Sequence, residues 1–165
     1  MKSLSKPTTA QRIRKIRILV LDVDGVLTDG RIIMDDRGRE TKFFDVRDGH
    51  GLKILMRTGI EVVFLTGRKS RVVEHRAREL GVTEVYQGAR NKAEVFEALL
   101  ERKGLQAAQA AYAGDDIVDV PVLKKAGFSV AVVDAVAEAK RAAHYVTRKT
   151  GGRGAVREVC EIILK

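Results

Sequence analysis

Four short stretches of this chain are built almost wholly from apolar and β-branched residues, and helix-patterned sequence separates each from the next. They are RILVLDV (17–23), IEVVFLT (60–66), AAYAGDD (110–116) and FSVAVV (128–133). A strand with one wet face alternates polar and apolar residues, so an uninterrupted apolar run suits a sheet covered on both faces. Strand and helix alternating along the chain then predict an α/β fold, a Rossmann-like three-layer sandwich around a mostly parallel sheet. The helices carry their own signals. GHGLKILMRTG stops at Gly59, and SRVVEHRARELG places Val73, Ala77 and Leu80 on one face before Gly81. NKAEVFEALLERKG opens with Asn91 and Glu94 in capping-box spacing and lines a face with Ala93, Phe96 and Leu100. VPVLKKAG and AVAEAKRAA read as short helices and YVT as a last strand; the glycine-broken GGRG leads into a helix with Val156, Val159, Cys160 and Ile163 on one face. One segment interrupts the rhythm. Arg31 to Phe44 holds two short apolar runs around Asp35-Asp36-Arg37-Gly38 and reads as a β-hairpin after the first strand.

The 165 residues suit one domain, expected over 17–165 behind a basic leader, 1–16, whose first ten positions read as a loose polar arm. The leader has basic residues, no acidic ones and no aromatic interleaving, which favours a solvated segment over a nucleic-acid arm. The net charge of +9 favours anionic partners without choosing among them. No apolar stretch approaches the ~20 residues that span a bilayer, and the leader lacks a signal peptide's apolar centre, so a cytoplasmic protein with no membrane partner is expected. A single cysteine, Cys160, excludes an intramolecular disulfide and a cysteine-based zinc site, and its apolar face makes it a buried, inert thiol.

Open parallel sheets bind ligands at the carboxyl ends of their strands, and chemistry-bearing residues recur there. Asp22 and Asp24 close the first strand; i and i+2 share a face, so their charges converge and call for a divalent cation, unless Asp24-Gly25 is simply a turn. Thr66 and Gly67 follow the second, as either an ordinary loop or a hydroxyl and a backbone N–H turned to an anion. Arg68 and Lys69 add positive charge beside them. Lys92 sits in the first turn of a capped helix, where it is either a solvated group or a phosphate ligand. Asp115, Asp116 and Asp119 end the third strand: one of them caps the next helix, and only Asp115 stands where it could share a cation with Asp22.

Taken in order, DVDGV, LTGR, NK and GDDIVD resemble the four motifs of the haloacid dehalogenase superfamily of phosphoryl-transfer enzymes. The resemblance implies that Asp22 attacks phosphorus to form an aspartyl-phosphate and that Asp24 protonates the leaving alcohol and later activates water. It implies phosphate binding by Thr66, Gly67 and Lys92. Mg2+ is expected between Asp22, the Asp24 carbonyl and Asp115, with Asp116 or Asp119 in support. Neither gap between motifs has room for a separate cap domain, so a neighbouring subunit is the economical cover. The hairpin, with apolar residues on both arms, either joins others or folds onto its own sheet.

Within that superfamily DVDGVLTDGRI, KFFDVRDGHGLKIL, LGVTEVYQGARNK, YAGDDIVDVPVL and YVTRKTGGRGAVREVCEIIL resemble the 3-deoxy-D-manno-octulosonate 8-phosphate phosphatases. That resemblance implies a sugar-acid phosphate substrate, a product feeding lipopolysaccharide synthesis and a homotetramer whose hairpins assemble centrally. It also implies a tail in which Gly151, Gly152 and Gly154 form a mobile hinge, closing over the next subunit's site. Arg68 and Arg153 are candidate substrate contacts. A nine-carbon sialic-type acid 9-phosphate is the alternative substrate, with Arg68, the hairpin, the 45–50 loop and the tail as the places where specificity would lie. A phosphorylated receiver-like module is the alternative of a different class, and the net charge gives no motif for nucleic acid. Of the histidines, only His50 stands in a loop that could line the pocket.

Overall fold

A computed structural model describes residues 7–165. In chain order the elements are α1 (Thr9–Ile13), β1 (Ile18–Leu21), β2 (Ile33–Met34), β3 (Glu40–Thr41), α2 (Val46–Arg57), β4 (Glu61–Leu65), α3 (Arg71–Leu80) and β5 (Glu84–Tyr86). There follow α4 (Lys92–Lys103), β6 (Ala110–Gly114), α5 (Val120–Lys125), β7 (Phe128–Ala131), α6 (Ala137–Ala142), β8 (Tyr145–Val146) and α7 (Ala155–Ile163). Six strands form one sheet in the order β5-β4-β1-β6-β7-β8, every pair parallel. Right-handed crossovers put α2 and α3 on one face and α4, α5 and α6 on the other, because the strand order runs outward in opposite directions from β1. The last helix, α7, returns to pack along α2. This is the Rossmann-like α/β sandwich expected from the apolar runs.

Burial explains the composition of the central strands. Every residue of β1 and of β6 is buried, as the doubly covered position requires. The register sets Leu21 beside Phe64 of β4 and Ala113 of β6, so the three strands finish level and their following loops meet. The order reverses between β1 and β6, the place where parallel sheets open a ligand crevice.

The hairpin β2–β3 forms as a separate two-stranded antiparallel sheet and does not extend the main one. Two expectations need correcting. Residues 1–6 lie outside the described residues, but the last of the ten positions expected as a loose arm are ordered into α1, with Thr8 and Gln11 in a capping box; beyond them Arg12 Nη1 donates to the Gly127 carbonyl at 2.9 Å, and Ile16 is in the core. The 45–50 segment is likewise no loop. Asp45 accepts from the N–H groups of Arg47 and Asp48 and so starts α2 three residues before Gly49, leaving His50 exposed on a helix.

Candidate active site

Asp22 is the first residue past β1, and its N–H still donates to the Ala113 carbonyl at 3.0 Å, which fixes its direction by sheet pairing. The chain then turns tightly. The N–H groups of Val26, Leu27 and Thr28 converge on the Val23 carbonyl, while Thr28 Oγ1 accepts from Gly25 and Gly30, each at 3.2 Å. Gly25 has φ +92°, and a Cβ there would stand 2.0 Å from Asp115 Oδ2, so glycine is what lets the β1 and β6 loops close on each other. Thr66 follows β4 and is buried; Lys92 opens α4, where Asn91 accepts from the Glu94 N–H; Asp115 follows β6. All face one cleft of about 270 Å³, lined by Asp22, Asp24, Thr66, Gly67, Arg68, Lys92, Asp115 and Asp116 together with Gly30 and Val118.

Asp119 organises this cleft from beneath. Fully buried, it accepts at Oδ1 from Lys92 Nζ (2.7 Å) and the Tyr112 hydroxyl (2.5 Å), and at Oδ2 from the N–H groups of Asp115 (2.9 Å) and Asp116 (3.1 Å). Lys92 Nζ also lies 2.8 Å from Asp22 Oδ1. Burial opposes the lysine's charge, but the carboxylates of Asp22 and Asp119 outweigh it and raise the pKa. Burial pushes Asp22 up to about 6 against the pull of Lys92. Asp115 is pushed up to about 8, by burial and by the charges of Asp22 and Asp119. Asp116 is the capping residue of the three acids, exposed and accepting from the Ile117 N–H at 2.7 Å.

The acids fit a hard divalent cation. Oxygens of Asp22, Asp115 and Asp119 come within 4.8 Å of one another, and Asp115 Oδ1 is buried with no hydrogen-bond partner. An orphaned buried carboxylate oxygen beside a second carboxylate is expensive unless a cation satisfies it. Asp119 is the poorest ligand of the three, since four donors already occupy its oxygens.

Three sequence expectations fall elsewhere. Arg153 is exposed and borders a different depression with Arg31, Phe44 and Arg47. His50 does not border the cleft. The tail glycines form no free hinge at their first two positions: a Cβ on Gly151 would stand 1.8 Å from the Gly25 carbonyl, and Gly152 N–H donates to Val26 O at 3.0 Å. Close backbone packing explains these glycines. The structure also adds residues that the motifs missed. Lys42 and Glu40 reach two cleft residues from the hairpin, Lys42 paired with Asp24 and Glu40 with Arg68, and Ser70 donates to Glu40. Their i, i+2 spacing in GRETKFF, opposite charges on one strand face, was the only available signal.

Comparison with known proteins follows the same site. A model of the haloacid dehalogenase-like hydrolases matches residues 81–159. The chain is 50% identical over 161 residues to the 3-deoxy-D-manno-octulosonate 8-phosphate phosphatase KdsC of Escherichia coli K12, covering 96% of this chain and 86% of that protein. It superposes with TM-score 0.93 and 42% identity on the Moraxella catarrhalis 3-deoxy-D-manno-octulosonate 8-phosphate phosphatase in complex with magnesium ion, phosphate ion and KDO, covering 94% and 90% of the two chains. The Yersinia pestis phosphatase of the same name gives 0.92 and 46%, covering 99% and 90%.

Proposed function

Because the chain belongs to the haloacid dehalogenase-like hydrolases, in the family of the 3-deoxy-D-manno-octulosonate 8-phosphate phosphatases, we propose that it hydrolyses that eight-carbon sugar-acid phosphate to the free acid and phosphate. The observation that carries the chemistry is the convergence of Asp22, Asp24, Thr66, Lys92 and Asp115 on one cleft.

Asp22 is the nucleophile. Its carboxylate oxygen bonds to phosphorus as the bond from phosphorus to the sugar oxygen breaks, and Asp24 delivers a proton to that leaving oxygen. Asp24 then takes a proton from water as the water attacks the aspartyl-phosphate, releasing phosphate and restoring both carboxyl groups. The Thr66 hydroxyl, the Gly67 N–H and the Lys92 ammonium hold the transferring phosphoryl oxygens. The Asp22 carboxylate, the Asp24 carbonyl and Asp115, with Asp116 or Asp119 in support, would hold magnesium, which would supply the positive charge that lets carboxylates meet a phosphate dianion. Arg68, with a buried and unpaired Nη1 at the cleft, is a substrate contact. Arg153 serves only as a contact from a neighbouring subunit, which fits its absence from the lining of its own chain's cleft. A cytoplasmic homotetramer belongs to this reading, the phosphatase domain spanning 17–165 with Arg12 and Ile16 of the leader packed against it.

Phosphate release tests it. The eight-carbon acid 8-phosphate should turn over far faster than a nine-carbon acid 9-phosphate or an aryl phosphate, with magnesium required and activity lost by at least about 10³-fold in Asp22→Asn. Equal slow turnover of all three substrates would overturn the substrate, and an active Asp22→Asn the mechanism.

A further inference from the structure

Lys42 is an unusual lysine. It lies beside β3 on a hairpin whose apolar residues Ile32, Met34 and Phe43 are exposed, yet its own side chain is 1% exposed. Lysine is almost never so buried unless paired. Its partners are Asp24 and, at 3.1 Å, Glu40 Oε1. Glu40 in turn accepts from Ser70 Oγ at 2.5 Å and Arg68 Nη2 at 3.0 Å. A line of charges thus joins two cleft residues, Asp24 in the loop after β1 and Arg68 in the loop after β4, with the hairpin as its middle. Among the described residues Lys42 is the only hydrogen-bonding partner of the Asp24 carboxylate, which it meets at Oδ1. We propose that Lys42 is the positioning residue for Asp24, anchoring Oδ1 so that Oδ2 alone faces the oxygen that leaves phosphorus.

This rests on the reading of Asp24 as proton donor. The bond from phosphorus to oxygen breaks as the Oδ2 proton passes to that oxygen, so the anchor matters in proportion to how much the leaving group needs a proton. An alkoxide needs one badly and p-nitrophenolate hardly at all. A lysine that only filled a buried site would affect all leaving groups alike, which gives the proposal a readout that packing does not move.

The experiment measures kcat/KM, which reports steps through loss of the first product, for the sugar-acid phosphate and a series of substituted phenyl phosphates. In Lys42→Met the sugar phosphate should lose about 10²-fold and p-nitrophenyl phosphate less than about threefold, with phenyl phosphate between them. Lys42→Arg should recover most of the loss. The double variant Lys42→Met/Glu40→Gln, which removes the buried Glu40 charge together with the lysine that faced it and keeps an amide oxygen as acceptor, should show the same gradation if the single variant folds poorly. Equal loss on every ester overturns the proposal, and so does a loss confined to the sugar phosphate with a flat phenyl series, the mark of a sugar contact. Asp24→Asn separates the premises: a gradation there but not in the Lys42 variants defeats the anchor alone, and none in Asp24→Asn defeats the proton-donor reading itself.

Discussion

Among single residues, Asp119 does the most with the least visibility. Its two oxygens hold Lys92, Tyr112 and the backbone of Asp115 and Asp116. In Asp119→Asn the amide can accept at one atom only, so either Lys92 or the Asp115 loop loses its support. The expected outcome is a loss of about 10²-fold in kcat/KM with a weaker magnesium requirement midpoint, and stability lower by about 1–3 kcal/mol in urea unfolding; unchanged magnesium affinity would contradict it. The three acids after β6 were legible as a cluster, because GDDIVD follows an apolar strand. Their division of labour was not. Whether the cap is Asp116 or Asp119 depends on a single 3₁₀ turn, Ile117–Asp119, and no periodicity marks so short an element. Tyr112 shows the same limit: in the strand it reads as apolar filling, and only its buried hydroxyl reveals that it needs Asp119.

At the scale of elements, α2 and α7 are joined by a carboxylate. The N-cap of α7 is Gly154, which has no side chain to offer, and Asp48 of α2 accepts instead from the Arg157 N–H at 2.8 Å and the Gly154 N–H at 3.4 Å. Burial pushes Asp48 up to about 6; the two N–H groups and Arg47 pull it down, and Asp45 pushes the same way as burial. The folded value lies above the roughly 3.9 of an unfolded aspartate, so this residue's contribution is full below about pH 4 and declines as pH rises through 6. Asp48→Asn keeps one accepting oxygen and cannot ionise. The variant should therefore be less stable than the parent near pH 4.5 and gain on it by about 2 kcal/mol by pH 7, measured by urea midpoints at each pH. A constant gap would refute it. Long apolar strands and capped helices were readable here, whereas the true start of α2 was hidden. The glycines of VRDGHG argue for a loop when propensity alone is weighed, and it is packing against α7 that makes them helical.

For the whole molecule, the hairpin is the unfinished part. Ile32, Met34 and Phe43 are between 58% and 63% exposed, with Val46 at the start of α2 at 80%, a concentration of apolar surface beside strands that pair with nothing else among the described residues. Under the proposed tetramer this surface is covered. Met34→Lys/Phe43→Ser should then convert the assembly to smaller species in light scattering on a sizing column, with the sugar-acid phosphatase activity falling alongside; a parent that already runs as a monomer would remove the idea. The parallel core was legible from apolar runs alone because burial on both faces leaves its mark at every position. Assembly leaves a sparser mark, a few apolar residues in a polar hairpin.

One contact joins two segments far apart in the order of translation. The loop bearing Asp24 is braced at the Val26 carbonyl by the N–H of Gly152, which enters the chain 126 positions later than the residue it supports. On a ribosome, β1 and its acids therefore emerge well before the residue whose backbone braces them. A nascent chain thus carries its reactive carboxylates through more than a hundred further residues of translation without the frame that aims them, and becomes a phosphatase only once the segment after β8 is made.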